Sequence, residues 1–233
     1  MADITTIWAG LLTEEDREVI ALGGYGKPRG CGRRPALLMI DPQWNYVGEN
    51  APAAESLRVF PSSVGRRAWE AVPATRRLLD SARAAGIPVI YTRMVQKDLR
   101  FDPFQDKADR KRDSYLEGHR GVEFIPELAP RPGELVIDKR FASVFWGTPV
   151  LSYLVRLGAD TLLFAGGTTS GCVRSAVVDA VTNSFRAVVV ADCCFDRISV
   201  SHRVALLDIW LKYGDVLWCE DAVNYLQGFR SDQ

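Results

Sequence analysis

The stretch DTLLFAGGTTSGCVRSAVVDA, residues 160–180, decides the fold because it joins three local patterns in a fixed order. Its first eight residues are a short apolar run that ends in two glycines, which is typical of a buried strand. Small and polar residues follow, and a helical pattern then extends over residues 172–184. A strand, a glycine-rich turn and a helix in succession are typical of a parallel sheet whose strands are connected by helices.

The same alternation recurs along the chain. Further strands are predicted at PALLMID (35–41), IPVIYTRM (87–94) and RAVVVAD (186–192), with weaker patterns at ELVID (134–138) and GDVLWCE (214–220). Helical patterns between them cover 65–85, 148–158 and 200–213, each long enough to cross over a sheet. The sequence therefore predicts an α/β fold, a three-layer sandwich with a parallel, Rossmann-like sheet of about six strands flanked by helices.

Two segments fall outside this alternation. Residues 1–34 contain a short helix predicted from Thr13, a plausible N-cap, to Leu22, followed by a coil rich in glycine and basic residues. We interpret this segment as an N-terminal arm before a single domain at 35–233, in which the coil is either ordered or extends onto a neighbouring subunit. Residues 97–121 are densely charged, which favours a solvated excursion, with a lid or subunit contact as the alternative.

Composition limits the classes of partner. The 233 residues contain 29 Lys and Arg and 29 Asp and Glu, so the chain lacks the basic excess typical of nucleic-acid or anionic-membrane binding. The start of the chain has no signal-peptide pattern, and no apolar run reaches membrane-spanning length. The five cysteines have no CxxC spacing, which fits a reduced compartment and argues against a structural zinc site. We expect a cytoplasmic protein with a small-molecule partner.

Cys172 is the candidate nucleophile. It lies where a predicted strand has ended and a helix begins, and sites in open α/β sheets form at the carboxyl ends of strands. The positive end of the helix dipole and nearby backbone N–H groups favour a thiolate there. The alternative is a small buried side chain without chemistry, the interpretation that we give to Cys193, Cys194 and Cys219.

A thiol nucleophile needs a proton carrier and a positive charge. Asp41 follows the predicted strand ALLMI, and Pro42 favours an extended backbone at Asp41. Lys139 follows ELVID. Each of the two, taken alone, is more often a solvent-facing charge at a loop than a functional residue. Their convergence with Cys172 at strand ends makes them candidate catalytic residues.

Three blocks of the sequence resemble the isochorismatase-like cysteine hydrolases, and within them the N-carbamoylsarcosine amidohydrolases. They are ALLMIDPQWNYV with Asp41, Gln43 and Tyr46, IDKRFASVFWGTPVLSYL with Lys139, Ser143, Phe145, Gly147 and Thr148, and GGTTSGCVRSAVVDA with Gly166, Thr169, Cys172 and Val173. The blocks follow one another in the order of that family. Each block alone is a weak motif, and their joint occurrence carries the resemblance.

The resemblance implies a catalytic triad of Asp41, Lys139 and Cys172. It also implies a cis peptide bond between Gly167 and Thr168, and an oxyanion hole formed by the backbone N–H groups of Thr168 and Cys172. The activity implied is that of a cysteine amidohydrolase that cleaves the C–N bond of a small amide or N-carbamoyl compound. Ammonia would be released through a covalent thioester or thiocarbamate.

The resemblance also bears on metal ions and assembly. The nicotinamidases of the superfamily bind a metal through an Asp and two His residues after the second strand, whereas YTRMVQKDLRFD contains no histidine. His119 and His202 are the two histidines of the chain, and we interpret both as residues without a role in metal binding. We therefore expect no metal and no cofactor. Members of the family commonly form homo-oligomers, so a dimer or tetramer is expected.

Further residues are candidates for substrate binding. Arg197 matches by position an arginine that binds the substrate carboxylate in the N-carbamoylsarcosine amidohydrolases, and a guanidinium suits this task because it makes two parallel hydrogen bonds. A salt bridge from Arg197 to Asp192 or Asp196 is the alternative. The remaining candidates flank the catalytic residues in sequence and are Trp44, Tyr46, Phe145, Trp146 and Thr169.

Two other classes of function stay open. A nucleotide-binding module fits a Rossmann-like sheet, but the loop DPQWNYVG after the first strand lacks the glycine fingerprint. A non-catalytic or redox-sensing protein with a reactive Cys172 is the second alternative. A sensor of that kind would need neither Lys139 nor Asp41.

Overall fold

A six-stranded parallel sheet forms the centre of the molecule, seen in a computed structural model that describes residues 3–98 and 112–229. The strands are β1 (Pro35–Ile40), β2 (Val89–Met94), β3 (Leu135–Lys139), β4 (Thr161–Gly167), β5 (Arg186–Phe195) and β6 (Asp215–Leu217). Their order in the sheet is β3-β2-β1-β4-β5-β6, and every neighbouring pair is parallel. The predicted α/β architecture is confirmed.

Eight α-helices connect and flank the strands of the described part of the chain. They are α1 (Glu14–Gly23), α2 (Trp44–Val47), α3 (Ala53–Val59), α4 (Arg66–Ala84), α5 (Val150–Arg156), α6 (Arg174–Thr182), α7 (Ser199–Lys212) and α8 (Cys219–Gln227). Helices α4 and α8 pack on each other and on β5, whereas α6 and α7 pack together against the same strand. The doubly wound topology puts these two pairs on opposite faces of the sheet.

The order of the strands reverses between β1 and β4. From β1 the chain moves outward through β2 to β3, and from β4 it moves in the other direction through β5 to β6. Both central strands are buried along their whole length. Open α/β sheets bind ligands at the carboxyl ends of the strands beside such a reversal. The fold therefore brings the ends of β1 and β4 together at the place where a site is expected.

Gly166 in β4 allows the two central strands to approach closely. Its φ is +106°, and a Cβ atom at this position would lie 2.1 Å from the carbonyl oxygen of Ile40. A side chain is excluded on both grounds. The double glycine that ends the apolar run is thus required at the junction between β1 and the turn that carries Cys172.

Some element boundaries differ from the predictions. A shift in register between β4 and β5 lengthens β5 to Phe195, so that Cys193 and Cys194 lie inside a strand. Cys219 begins helix α8, whereas the sequence placed it in a strand-like run. All three thiols are buried, as predicted. The short helices α2 and α3 were not predicted, since seven residues or fewer do not establish a helical period.

The segment before β1 packs on its own chain. Thr13 caps α1 through a reciprocal pair of hydrogen bonds with Asp16, which confirms the predicted N-cap. Trp8 is buried and lies 5.4 Å from the ring of Trp210 on α7. The backbone N–H groups of residues 29 and 30 donate to the carboxylate of Asp215 at the start of β6. Its contact with a neighbouring subunit stays a prediction.

The charged excursion predicted at 97–121 is described in part, because residues 99–111 lie outside the described ranges. Its second half forms two 3₁₀ turns, Arg112–Tyr115 and Arg120–Val122. Tyr115 is fully buried there and packs at 6.0 Å from Tyr46. The described second half is therefore anchored to the core beside α2. Within the described ranges, none of the helices is long and apolar enough to cross a membrane.

Candidate active site

Asp41, Lys139 and Cys172 meet at the carboxyl end of the sheet. The Nζ atom of Lys139 lies 2.8 Å from Oδ2 of Asp41 and 3.2 Å from Sγ of Cys172. The side chains of the lysine and the aspartate have no solvent exposure, and Cys172 is 6% exposed. A thiol, an ammonium and a carboxylate in mutual contact out of water form an arrangement suited to nucleophilic chemistry.

Three separate elements carry the three side chains. Lys139 is the last residue of β3, where it pairs with Met94 at the end of β2, and its Nζ also donates to the carbonyl oxygens of Phe141 and Ala142. These two carbonyls hold the ammonium between the chain that follows β3 and the thiol. Four oxygen or sulfur acceptors thus surround a buried cation, which a lone buried ammonium would need for stability.

Asp41 follows β1 with an unusual backbone conformation. Its φ is +47°, in the left-handed region, whereas the sequence predicted an extended backbone because Pro42 follows. The hydroxyl of Thr92, on β2, accepts the N–H of Asp41 at 3.1 Å and donates to its Oδ1 at 2.5 Å. The side chain also forms the ion pair with Lys139. These buried tertiary contacts outweigh the local preference imposed by the proline.

Cys172 lies in a single π-helical turn, Thr169–Val173, and α6 begins two residues later at Arg174. The prediction that the cysteine itself starts the α-helix is therefore displaced by two residues. The peptide bond between Gly167 and Thr168 is cis. π-turns within helices are found frequently at functional sites.

A carboxylate from the end of β5 holds this turn in place. Asp196 accepts hydrogen bonds of 2.7 Å from both the backbone N–H and the hydroxyl of Ser170. It also accepts the backbone N–H of Arg197 at 2.7 Å. The turn that bears the thiol is therefore tied to the chain that follows β5, as well as to β4.

The electrostatics of the three groups favour a protonated thiol in the resting site. Burial raises the pKa of Cys172 to about 12, and the positive charge of Lys139 offsets this only in part. Burial acts to lower the pKa of Lys139, but the negative charge of Asp41 and the neighbouring Cys172 outweigh it, and the pKa lies above its ordinary value. The sequence predicted a thiolate because Cys172 lies at a helix start, but the cost of burying a charge outweighs this effect and favours the thiol.

Several residues that support the site carried only a weak signal in the sequence. Gln43 is fully buried and joins strand ends, since its amide donates to the carbonyl of Met94 and accepts that residue's N–H at 2.8 Å. Thr92 was missed, although a polar residue in the apolar run VIYTRM was a detectable signal. Tyr115 was missed because its own surroundings in sequence are charged.

Arg197 lies two residues after the end of β5 and next to Asp196, the residue that holds the π-turn. Its guanidinium donates to the carbonyl oxygen of Ser62, and the hydroxyl of Ser62 in turn bonds to that of Tyr115. Among the described residues, no ion pair joins Arg197 to Asp192 or Asp196, the partners of the alternative interpretation. The side chain also lines a cleft of about 630 Å³.

The aromatic candidates divide between the site and its surroundings. Tyr46 is buried, and burial and the neighbouring Tyr115, Cys172 and Asp41 all raise its pKa, which places it near the thiol and the carboxylate. The other aromatic candidates contact different side chains or solvent: Trp44 stacks on Phe60 at 5.8 Å and under Arg120, Phe145 packs against Phe185 before β5, and Trp146 is 66% exposed.

The hydroxyl of Thr169 is engaged within the protein. It donates to the carbonyl of Phe195 at 3.1 Å and lies 2.8 Å from Nδ1 of His202 on α7. Burial lowers the pKa of His202, which favours the neutral ring. His119 bonds through Nδ1 to the N–H of Gly121. Neither histidine joins a group of three potential metal ligands within residues 3–98 and 112–229.

Comparison with protein families gives a match over most of the chain. The Isochorismatase domain model matches residues 35–220. The match begins at the first residue of β1 and ends just after the start of α8, so it includes the whole sheet and all three central side chains.

Two named relatives can be aligned over most of the chain. Maleamate amidohydrolase from Pseudomonas putida is 38% identical over 213 residues, which cover 88% of this chain and 92% of the relative. N-carbamoylsarcosine amidase from Arthrobacter is 31% identical over 218 residues, covering 87% and 75% respectively. The crystal structure of an isochorismatase family protein from Desulfovibrio vulgaris superposes with a TM-score of 0.73 at 28% identity, covering 84% of this chain and all of the other.

Proposed function

The chain belongs to the isochorismatase family, and we propose that it is an amidohydrolase that attacks the carbonyl carbon of a small amide with the sulfur of Cys172. The observation that carries this proposal is the buried contact of Cys172 with Lys139, which itself is paired with Asp41. The two relatives named above are a maleamate amidohydrolase and an N-carbamoylsarcosine amidase. Their substrates define the chemical class that we propose.

The first half of the reaction forms a covalent intermediate. Because the resting thiol is protonated, its proton passes to Oδ2 of Asp41 as sulfur attacks the carbonyl carbon. Lys139 stabilises the negative charge that develops on sulfur. The N–H groups of Thr168 and Cys172 bind the oxyanion. When this intermediate collapses, the C–N bond breaks, and Asp41 gives its proton to the departing ammonia.

The second half releases the product. Asp41, again ionised, removes a proton from a water molecule that attacks the thioester, or the thiocarbamate in the case of a ureido substrate. The C–S bond breaks, and the proton held by Asp41 returns to sulfur. The cycle uses one carboxylate as both base and acid, and it balances without a metal, a cofactor or an external oxidant.

We propose that the substrate carries a carboxylate that is bound by Arg197. The guanidinium donates to the carbonyl oxygen of Ser62, the hydroxyl of Ser62 bonds to that of Tyr115, and Tyr115 packs on Tyr46 near the thiol. This chain of contacts leads from the arginine to the reacting centre. The class therefore comprises small monoamides and ureido acids with a free carboxylate. We also propose a homo-oligomer, on the family resemblance alone.

Ammonia release from a panel of compounds tests the proposal. The panel contains maleamate, N-carbamoylsarcosine, a second N-carbamoyl amino acid, biuret and nicotinamide, and each is assayed with wild type, Cys172→Ala and Arg197→Ala. We expect release from a carboxylated compound that disappears with Cys172→Ala. The arginine variant should raise KM for carboxylated compounds and leave neutral ones unchanged. Substantial release by Cys172→Ala would contradict the mechanism.

Folding of the variants is checked in parallel. Thermal unfolding of Cys172→Ala should stay within a few degrees of wild type, because the substitution removes one small buried atom. If none of the five compounds releases ammonia with the wild-type protein, the proposed substrate class is wrong. A protein that keeps the fold while using a reactive Cys172 for oxidation sensing would then become the preferred interpretation.

A further inference from the structure

Thr92 makes two hydrogen bonds to one residue through a single oxygen atom. Oγ1 accepts the backbone N–H of Asp41 at 3.1 Å and lies 2.5 Å from Oδ1 of the same residue. Both residues are fully buried. A backbone N–H can only donate, so the hydroxyl must accept there, and its one proton is left for the carboxylate.

This arrangement distinguishes the two oxygen atoms of Asp41. Oδ1 receives the proton of Thr92, whereas Oδ2 lies 2.8 Å from Nζ of Lys139, the same atom that donates to Sγ of Cys172. The hydrogen bond from the hydroxyl fixes the orientation of the carboxylate. Oδ2 is thus the oxygen that the threonine leaves available to accept the thiol proton.

The same hydroxyl holds the backbone of Asp41. This residue has a φ of +47°, a conformation that a residue other than glycine adopts only when its surroundings favour it. The hydroxyl of Thr92 bonds both to the backbone N–H of Asp41 and to the carboxylate of its side chain, so it constrains the backbone and the side chain together. Strand β2, which carries Thr92, is hydrogen-bonded to both β1 and β3, so its hydroxyl is placed rigidly relative to Asp41 and Lys139.

We propose that Thr92 is a positioning residue that holds the backbone and carboxylate of Asp41 and so aims Oδ2 at the proton of Cys172. The inference rests on the proposed function, in which Asp41 takes that proton, and it adds the group that makes Asp41 able to do so. The charged and titratable groups that face the carboxylate are Lys139 from β3, Cys172 from the π-turn and Tyr46 from α2.

Alkylation of Cys172 by iodoacetamide tests this without knowledge of the substrate. The reagent modifies the thiol only when its proton has been transferred, and peptide mass spectrometry follows the modification of this cysteine separately from the other four. We expect Thr92→Val, which removes the hydroxyl and keeps the shape, to slow alkylation at pH 7 by about 10- to 100-fold, because the carboxylate that takes the thiol proton is no longer held in place.

The conservative variant separates positioning from packing. Thr92→Ser, which keeps the donor, should stay within about threefold of the wild-type alkylation rate. Thr75→Val is the matched control, because Thr75 is equally buried on α4 and bonds only to backbone carbonyls. It should leave the alkylation rate unchanged.

The outcomes are distinct from those that test the proposed function. An alkylation rate of Thr92→Val equal to that of wild type would overturn the inference. A loss of rate shared by Thr92→Val and Thr75→Val, or not restored in Thr92→Ser, would also overturn it, as a packing effect. If no compound releases ammonia, the proposed function fails, while the alkylation rates still decide the role of Thr92. Where ammonia is released, Thr92→Val should lower kcat and leave KM nearly unchanged.

Discussion

Replacement of Lys139 by methionine tests whether the buried ion pair is a structural as well as a chemical unit. At 2.8 Å, and with an effective dielectric constant of about 20, the attraction between Lys139 and Asp41 is about 6 kcal/mol. Much of this is offset by the cost of removing both charges from water. Removing one partner leaves the other charge buried and unpaired, which costs about 3–5 kcal/mol of unfolding free energy. For a chain of this size the melting temperature falls by about 6–20 °C.

The matched control is a pair with the same distance and greater exposure. Arg93 and Asp138 are also 2.8 Å apart, on the neighbouring strands β2 and β3, but their side chains are 29% and 30% exposed. We expect Arg93→Met to cost about 0–1 kcal/mol. The double variant Asp41→Asn, Lys139→Met should recover at least half of the single loss, since no unpaired charge remains.

Urea denaturation monitored by tryptophan fluorescence measures all of these variants. The reasoning is refuted if Lys139→Met loses no more stability than Arg93→Met. It is also refuted if the double variant is less stable than Lys139→Met. Ammonia release should be abolished in both variants that lack Lys139, independently of the recovery of stability, because the charge that stabilises sulfur is absent in each.

Three further predictions concern the thiol, its turn and the central strands. The pKa of Cys172 is raised in the folded protein to about 12, so the contribution of the protonated thiol to stability is complete below the unfolded value near 9 and is lost as pH rises to 12. The difference in unfolding free energy between wild type and Cys172→Ala should therefore fall over this range, by at most about 1.4 kcal/mol per pH unit. A difference that stays constant with pH would contradict this prediction. Asp196→Asn should lower kcat at least tenfold with a change in melting temperature of only a few degrees, because it weakens the bonds that fix the turn at Ser170, and unchanged kinetics would remove that role. Gly166→Ala should lower the unfolding free energy by about 3 kcal/mol or more. Gly133→Ala should lower it less, because Gly133 also has a positive φ, +92°, but has open space where the Cβ would lie. Equal losses of stability in urea denaturation would refute the steric argument.

The alternation of apolar runs and helical patterns predicted the architecture because buried parallel strands leave a strong local signal. Each of the six strands was located within a few residues from its run of apolar residues. The end of β5 was placed too early, since its extension to Phe195 depends on a register shift against β4 that only the assembled sheet produces. Similarly, Cys219 begins a helix because Asp192 accepts its N–H, a contact that is distant in sequence.

The sequence predicted which residues form the candidate site but not the protonation of its thiol. Asp41, Lys139 and Cys172 were expected to converge because they lie at strand ends and in the family blocks, and the structure places them in contact. The local sequence around the cysteine favoured a thiolate, whereas burial raises the pKa of the thiol. Desolvation is a property of the whole fold and has no local signature. Thr92, by contrast, had a local signal as a polar residue in the apolar run VIYTRM, but its contact with Asp41 is distant in sequence.

A mass measurement of the enzyme during turnover tests the central claim most directly. The wild-type protein is mixed with the panel compound that releases ammonia fastest, quenched in acid within milliseconds to seconds, and digested for peptide mass spectrometry. The account predicts one acyl or carbamoyl group on the peptide that contains Cys172, with no such group in Cys172→Ala. Turnover by Cys172→Ala, or an acyl group located on another residue while Cys172 stays unmodified, would contradict it.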